Sequence, residues 1–202
     1  MKMSLLVIFL CAAACSLCYA EENNTTSQAP FGLRWGMSVS EAKSLGIMIS
    51  DLDIKTTFGR SYRASNLPRM VADADLVGLS FGYSDKLWRI FVVSQTTPND
   101  PYGSAVKHRY EQLNSTLSTK YGRGVAHEYQ DTEIWKRSDE FMMSLSTGRS
   151  WYYTDFETPE IFVQLGIIAE SANSGYWRII YECKSLRAMF ESDQKTHEKD
   201  AL

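Results

Sequence analysis

The chain has 202 residues, 44% of them hydrophobic and 12% aromatic, with a formal net charge of −3. That length can bury a core, and the apolar share excludes outright disorder. Five prolines and twelve glycines exclude a collagen-like or linker-dominated chain, and without a basic block nucleic acid is excluded as the main partner, because phosphate neutralisation needs clustered Lys and Arg.

Residues 1–20 read as an export signal. Lys2 supplies a minimal positive start, Leu5 to Ala14 an apolar run, and Cys18-Tyr19-Ala20 small residues at the −3 and −1 positions before Glu21. The run is too short for a bilayer, which takes about 20 apolar residues, and no later segment is a membrane-helix candidate. Cleavage near Ala20 would give a periplasmic or secreted protein. The alternative is a lipoprotein, with Ala12-Ala13-Ala14-Cys15 as a lipobox and a lipid anchor on Cys15. Loss of the leader removes Lys2 and three cysteines, so the mature chain is one unit more negative and keeps only Cys183. An intramolecular disulfide is then excluded, and Cys183 reads as a buried strand thiol. Residues 21–30 (EENNTTSQAP) form a polar spacer, with Asn23 and Asn24, like Asn114 later, in N-x-[ST] sequons.

A single α+β domain is expected over 31–193. Phe31 to Met37 alternate aromatics and glycines as an entry strand or turn. Ser38-Val39-Ser40-Glu41 matches a capping box, Val39, Ala42 and Leu45 share one helical face, and Gly46 stops the helix. Leu76 to Phe81 and Leu87 to Val93 flank Tyr83-Ser84-Asp85-Lys86 as a hairpin. After Pro98 to Pro101 comes a long central helix, with Ala105/Val106, Tyr110, Leu113, Leu117 and Tyr121 on one stripe and Gly122 at its end. Strands are expected at Val125 to Tyr129, Glu133 to Lys136, Phe141 to Ser146, Ile161 to Ala169 and Tyr176 to Cys183. A helix from Lys184 to about Asp193 follows, with Leu186, Met189 and Phe190 inward, and 194–202 fray. The architecture is antiparallel sheet around the central helix.

Leu87-Trp88-Arg89-Ile90 echoes Tyr176-Trp177-Arg178-Ile179, which suggests two helix-plus-strands units in tandem, 31–97 and 98–193, with both tryptophans buried. Alternation places Trp177, Ile179, Tyr181 and Cys183 on an apolar face, and Arg178 and Glu182 on the other, where they could pair across Ile180. The opening Gly36-Met37-Ser38-x-x-Glu41 resembles the start of small envelope lipoproteins of the outer-membrane assembly machinery (the BamE/SmpA-like group) and of uncharacterised exported bacterial proteins. The resemblance covers about a tenth of the chain and implies an exported α+β module that docks onto other proteins. It carries over no functional residue.

No G-x-S-x-G, H-E-x-x-H, phosphate loop or C-x-x-C occurs, so no catalytic, metal or cofactor site is assigned. His108, His127 and His197 lack partners at metal-binding spacing. Asp51-x-Asp53 and Asp73-x-Asp75 present paired carboxylates, the basis of an alternative reading as a periplasmic hydrolase. The leading reading is a non-catalytic protein-binding module, such as an inhibitor, an immunity protein or an assembly accessory, acting on another envelope or secreted protein. Its face is expected in Gly148 to Glu160, as a projecting loop or edge strand. Trp151, Tyr152, Tyr153 and Phe156 would be the anchors, with Asp155, Glu157 and Glu160 as an acidic rim for a basic partner. A strand sending alternate aromatics into the core is the competing reading of the same stretch.

Overall fold

A computed structural model of the protein describes residues 28–52, 57–82, 84–131 and 137–202. The expected leader, its cleavage site, the strand at Glu133 to Lys136, Asp53 and Tyr83 lie outside the described residues. The fold is α+β, an eight-stranded antiparallel sheet with helices. The strands are β1 (Met48–Asp51), β2 (Arg60–Ser65), β3 (Ala74–Phe81), β4 (Leu87–Ser94), β5 (Val125–Tyr129), β6 (Trp151–Glu157), β7 (Ile161–Ser171) and β8 (Ser174–Cys183). The helices are α1 (Val39–Ser44), α2 (Ser104–Tyr121), α3 (Phe141–Ser146) and α4 (Lys184–Ala201).

The sheet runs β1-β2-β3-β4-β8-β7-β6-β5, so two four-stranded meanders meet at β4 and β8. The two Trp-Arg-Ile segments lie on those central strands. Phe91 stands three residues after Trp88, Ile180 three after Trp177, and the two sit directly opposite each other. Ile90 faces Tyr181 and Val92 faces Ile179, so a local two-fold axis passes between Phe91 and Ile180. Both tryptophans are buried. They are not buried alike. Trp177 joins the main core and its indole Nε1 donates to Asp73 Oδ2 at 2.9 Å. Trp88 falls in a bulge, since β3 pairs Ser80 with Arg89 and then Phe81 with Leu87. Its ring stacks on Phe190 of α4, centroids 4.8 Å apart.

One face of the sheet carries the core. Val77, Leu79, Ile90, Val92, Ile179, Tyr181, Val163, Leu165 and Phe156 alternate onto it, and α2 covers it with Val106, Tyr110, Leu113 and Leu117. Asp100 starts α2 by accepting from the backbone of Ser104, Ala105 and Val106, and Gly122, at φ 87°, ends it. Asp73 ties the same helix to β3, because Arg109 donates to both its oxygens at 2.8 and 2.7 Å. The opening motif is structural residue by residue. Trp35 and Met37 are core, Gly36 turns at φ 77° and donates to the Leu87 carbonyl, and Ser38 and Glu41 form the reciprocal capping box.

Three expectations need correction. There is not one long central helix: α2 and α4 are equally long, and α2 lies on a face of the sheet. Phe141 to Ser146 is a helix, because a turn over Ser138–Glu140 feeds it and Phe141 and Met142 pack inward from helical spacing. The last helix runs on to Ala201, held by Arg187–Glu191 and Gln194–Glu198 contacts one turn apart. Asn114 lies within α2, where its side-chain oxygen is shielded from solvent. Among the described residues no helix is long and apolar enough to cross a membrane.

Candidate functional site

The aromatic stretch singled out by sequence is β6, and its period of two splits it between two environments. Tyr152, Thr154 and Phe156 face α2. Phe156 is fully buried, Thr154 shares a 2.6 Å hydrogen bond with the Tyr110 hydroxyl, and Tyr152 packs edge-on against Tyr110 and Phe141. Desolvation pushes the Tyr110 phenol up to about 12. Phe156 is therefore a core residue and offers a partner no surface, and Tyr152 is largely spent on packing. The segment is neither a projecting loop nor an edge, because β5 lies outside it.

Trp151, Tyr153, Asp155 and Glu157 point to the opposite, open face. There Trp151 stacks on Tyr129 of β5 with centroids 4.6 Å apart, and both remain nearly half exposed, at 46% and 47%. Tyr153 stacks on His127, its partner in register, at 4.7 Å. A polar row crosses all four strands of this half. His127 Nε2 lies 3.5 Å from Asp155 Oδ2, Gln164 Nε2 donates to Asp155 Oδ1 at 3.0 Å, and Arg178 donates to Gln164 Oε1 at 3.5 Å. Two of the three expected rim carboxylates are already engaged. Asp155 serves His127 and Gln164, and Glu157 takes Lys184 Nζ at 2.5 Å. Glu160 is exposed in the turn to β7, apart from the aromatic pair.

Gly166 forms the floor of a hollow in this face. In register it stands between Tyr153 on one side and Arg178 on the other, with Gln164 and Ile168 before and after it on the same face. Because glycine has no side chain, these residues leave a cleft, which continues past the end of the β6–β7 pairing toward Tyr152, Ile167, Leu145 and Ser146 on the helix-covered side, about 310 Å³ in all. Among the described residues Arg178 is the only cation lining it. Burial lowers its pKa from the usual guanidinium value, partly offset by the nearby Tyr176. Among the described residues no carboxylate comes within ion-pairing distance of Arg178.

The pairing of Arg178 with Glu182 does not form. Glu182 instead accepts Arg89 Nε at 3.0 Å across the strand and Arg187 at 2.8 Å from the first turn of α4. The inward pull of this pair is strong: both side chains are about one-tenth exposed.

The carboxylates of the hydrolase alternative do not converge. Asp51 ends the edge strand β1, Asp75 is exposed on β3, and Asp73 is committed to Arg109 and Trp177. The Arg109 hydrogen bonds hold the Asp73 carboxyl below its usual range. Among the described residues no group of three His, Cys, Asp or Glu could hold a metal. His108 contacts Gln112 on the surface of α2, and Cys183 is a buried thiol.

Sequence reasoning found Trp151, Tyr153 and Asp155 but missed Tyr129, His127, Gln164, Gly166 and Arg178. Two signals were present: a glycine inside the apolar strand Ile161 to Ala169, and an arginine alternating with core residues on β8. Comparison with protein-family models, with curated proteins and with solved structures gives no match.

Proposed function

We propose that the protein is a non-catalytic binding module, exported by way of its leader, that takes another envelope or secreted protein on the open face of β5–β8. An inhibitor, immunity or assembly-accessory role would use such a face. The observation that carries this reading is the Trp151–Tyr129 stack, two large rings ordered against each other and left nearly half exposed on a face that α2 does not cover. Rigid aromatics bury much apolar area at little entropic cost, which is why they dominate interface hot spots. The stack borders a half-buried arginine, so apolar area and a directional charge lie side by side.

Site-specific photocrosslinking tests this. A photoreactive side chain at Tyr129 should capture a discrete partner in the native envelope, and one at Lys195 on α4 should not. Trp151→Ala should then weaken capture while the melting curve stays close to that of the parent. Equal labelling from both positions would overturn the assignment of this face.

A further inference from the structure

The hollow over Gly166 sits beside the exposed stack and has chemistry of its own. On the open face its walls are Tyr153, Ile168 and Trp151, and among the described residues its one charge is the Arg178 guanidinium. A guanidinium brought out of bulk water is stabilised by a carboxylate, and the two on this face nearest in register are engaged elsewhere: Asp155 by His127 and Gln164, Glu182 by Arg89 and Arg187. Gln164 is oriented by Asp155 so that its oxygen meets Arg178, which fixes the guanidinium on one side and leaves its other donors for a ligand.

We infer that this hollow recognises the C-terminal residue of a partner polypeptide, its main-chain carboxylate on Arg178 and its apolar side chain against Tyr153, Ile168 and Trp151. The choice of occupant follows from the size and mixture of the walls. A cleft of about 310 Å³ takes roughly one residue, and it presents a cation and an apolar wall together. Within a polypeptide, only the C-terminal residue carries a carboxylate and an apolar side chain on the same Cα. An internal Asp or Glu would bring the carboxylate alone and leave the apolar wall unused. One cation also suits a monoanion better than a phosphate, which recruits several donors.

This inference rests on the reading of the β5–β8 face as a binding surface and specifies its chemistry. The test uses calorimetry on the full mature chain with N-acetylated tripeptides ending in Leu or Phe, as free acids and as carboxamides, with phenylacetate as a small acid. The free-acid peptide should bind at least tenfold, and up to about a hundredfold, tighter than its amide, the range for a charge-assisted hydrogen-bonded pair. Arg178→Gln should erase that preference. Gly166→Val, which fills the hollow and leaves Arg178 in place, should weaken the acid peptide by a similar factor. Equal binding of acid and amide, or no binding of either, overturns the subsite. If that happens while the Tyr129 crosslink persists, the binding face stands and only its carboxylate chemistry falls. Phenylacetate binding as tightly as the peptide overturns the polypeptide occupant in favour of a small acid.

Discussion

Replacing Glu182 by Gln removes one negative charge from the centre of the sheet and keeps nearly the same shape. In the parent protein that carboxylate neutralises Arg89, whose side chain is 10% exposed and whose guanidinium lies 3.9 Å from the centre of the Phe58 ring. Glu182 also holds Arg187 at the start of α4, while Arg178 stands close enough to repel Arg89. The amide can still accept one hydrogen bond, but it cannot balance a buried guanidinium and its NH2 group opposes the second donor. Removing one partner of a buried pair costs about 3–5 kcal/mol, most of it the penalty of the charge left behind. For a chain of this size that corresponds to a fall of roughly 6–20 °C in Tm. Urea unfolding followed by circular dichroism reads the cost directly, with an unchanged m-value confirming that the unfolding transition is the same. The double variant Arg89→Met/Glu182→Leu should recover most of the loss, because no charge is then stranded. A Glu182→Gln loss below about 0.5 kcal/mol would refute the reasoning, since Arg89 would then be hydrated rather than paired. A double variant as unstable as the single would refute it differently, by showing that shape and not charge was lost.

Aromatics on opposite faces of β6 should behave differently: Phe156→Ala should cost about 3–5 kcal/mol and Trp151→Ala only about 0.5–1.5, measured by chemical unfolding, and equal losses would contradict the two-faced strand. Asp73 contributes stability that is fully present above the unfolded carboxylate value of about 3.9 and is lost as pH falls through its lowered folded value. Asp73→Asn should therefore flatten the acid limb of a stability–pH curve below about pH 4, and an unchanged limb would count against the Arg109 staple. Gly78→Ala should destabilise by about 1–3 kcal/mol, because a Cβ there would lie 2.1 Å from the Phe91 ring, whereas Gly166→Ala, with 3.3 Å to the nearest atom, should stay within about 0.5 kcal/mol of the parent in melting experiments.

The sheet was legible because its strands alternate or run apolar between clear turn signals, as β4, β5 and β8 do. Where a segment was short and apolar, periodicity could not decide its type. Phe141 to Ser146 has six residues, too few to separate strand from helix, and the turn ahead of it tips the balance to helix. The extent of α4 was hidden for a different reason. Past Phe190 its residues are polar, so no apolar stripe marks it, and its continuation rests on contacts such as Gln194–Glu198. Half of the candidate site was visible as an aromatic run on one strand. The other half was not, because His127, Gln164, Gly166 and Arg178 lie on three further strands and meet only through register.

The two-fold arrangement of the sheet makes the hollow over Gly166 informative. Strand order and the central register are symmetric about Phe91 and Ile180, but the two residues on the axis differ in size. By that symmetry Arg89 corresponds to Arg178, and Ser80, opposite Arg89 on β3, corresponds to Gly166, opposite Arg178 on β7. Ser80 is fully buried and Arg89 is paired with Glu182, whereas Gly166 carries no side chain and Arg178 has no carboxylate partner among the described residues. The same backbone plan thus supplies a filled, charge-balanced position in one half and a bare one in the other. Packing alone would favour filling both, since an apolar hollow forgoes dispersion contacts and an arginine without a carboxylate forgoes a charge partner. That Gly166 is left bare beside Arg178, with the exposed Trp151–Tyr129 stack at its rim, is what a surface shaped for a ligand requires and what a purely structural sheet face does not.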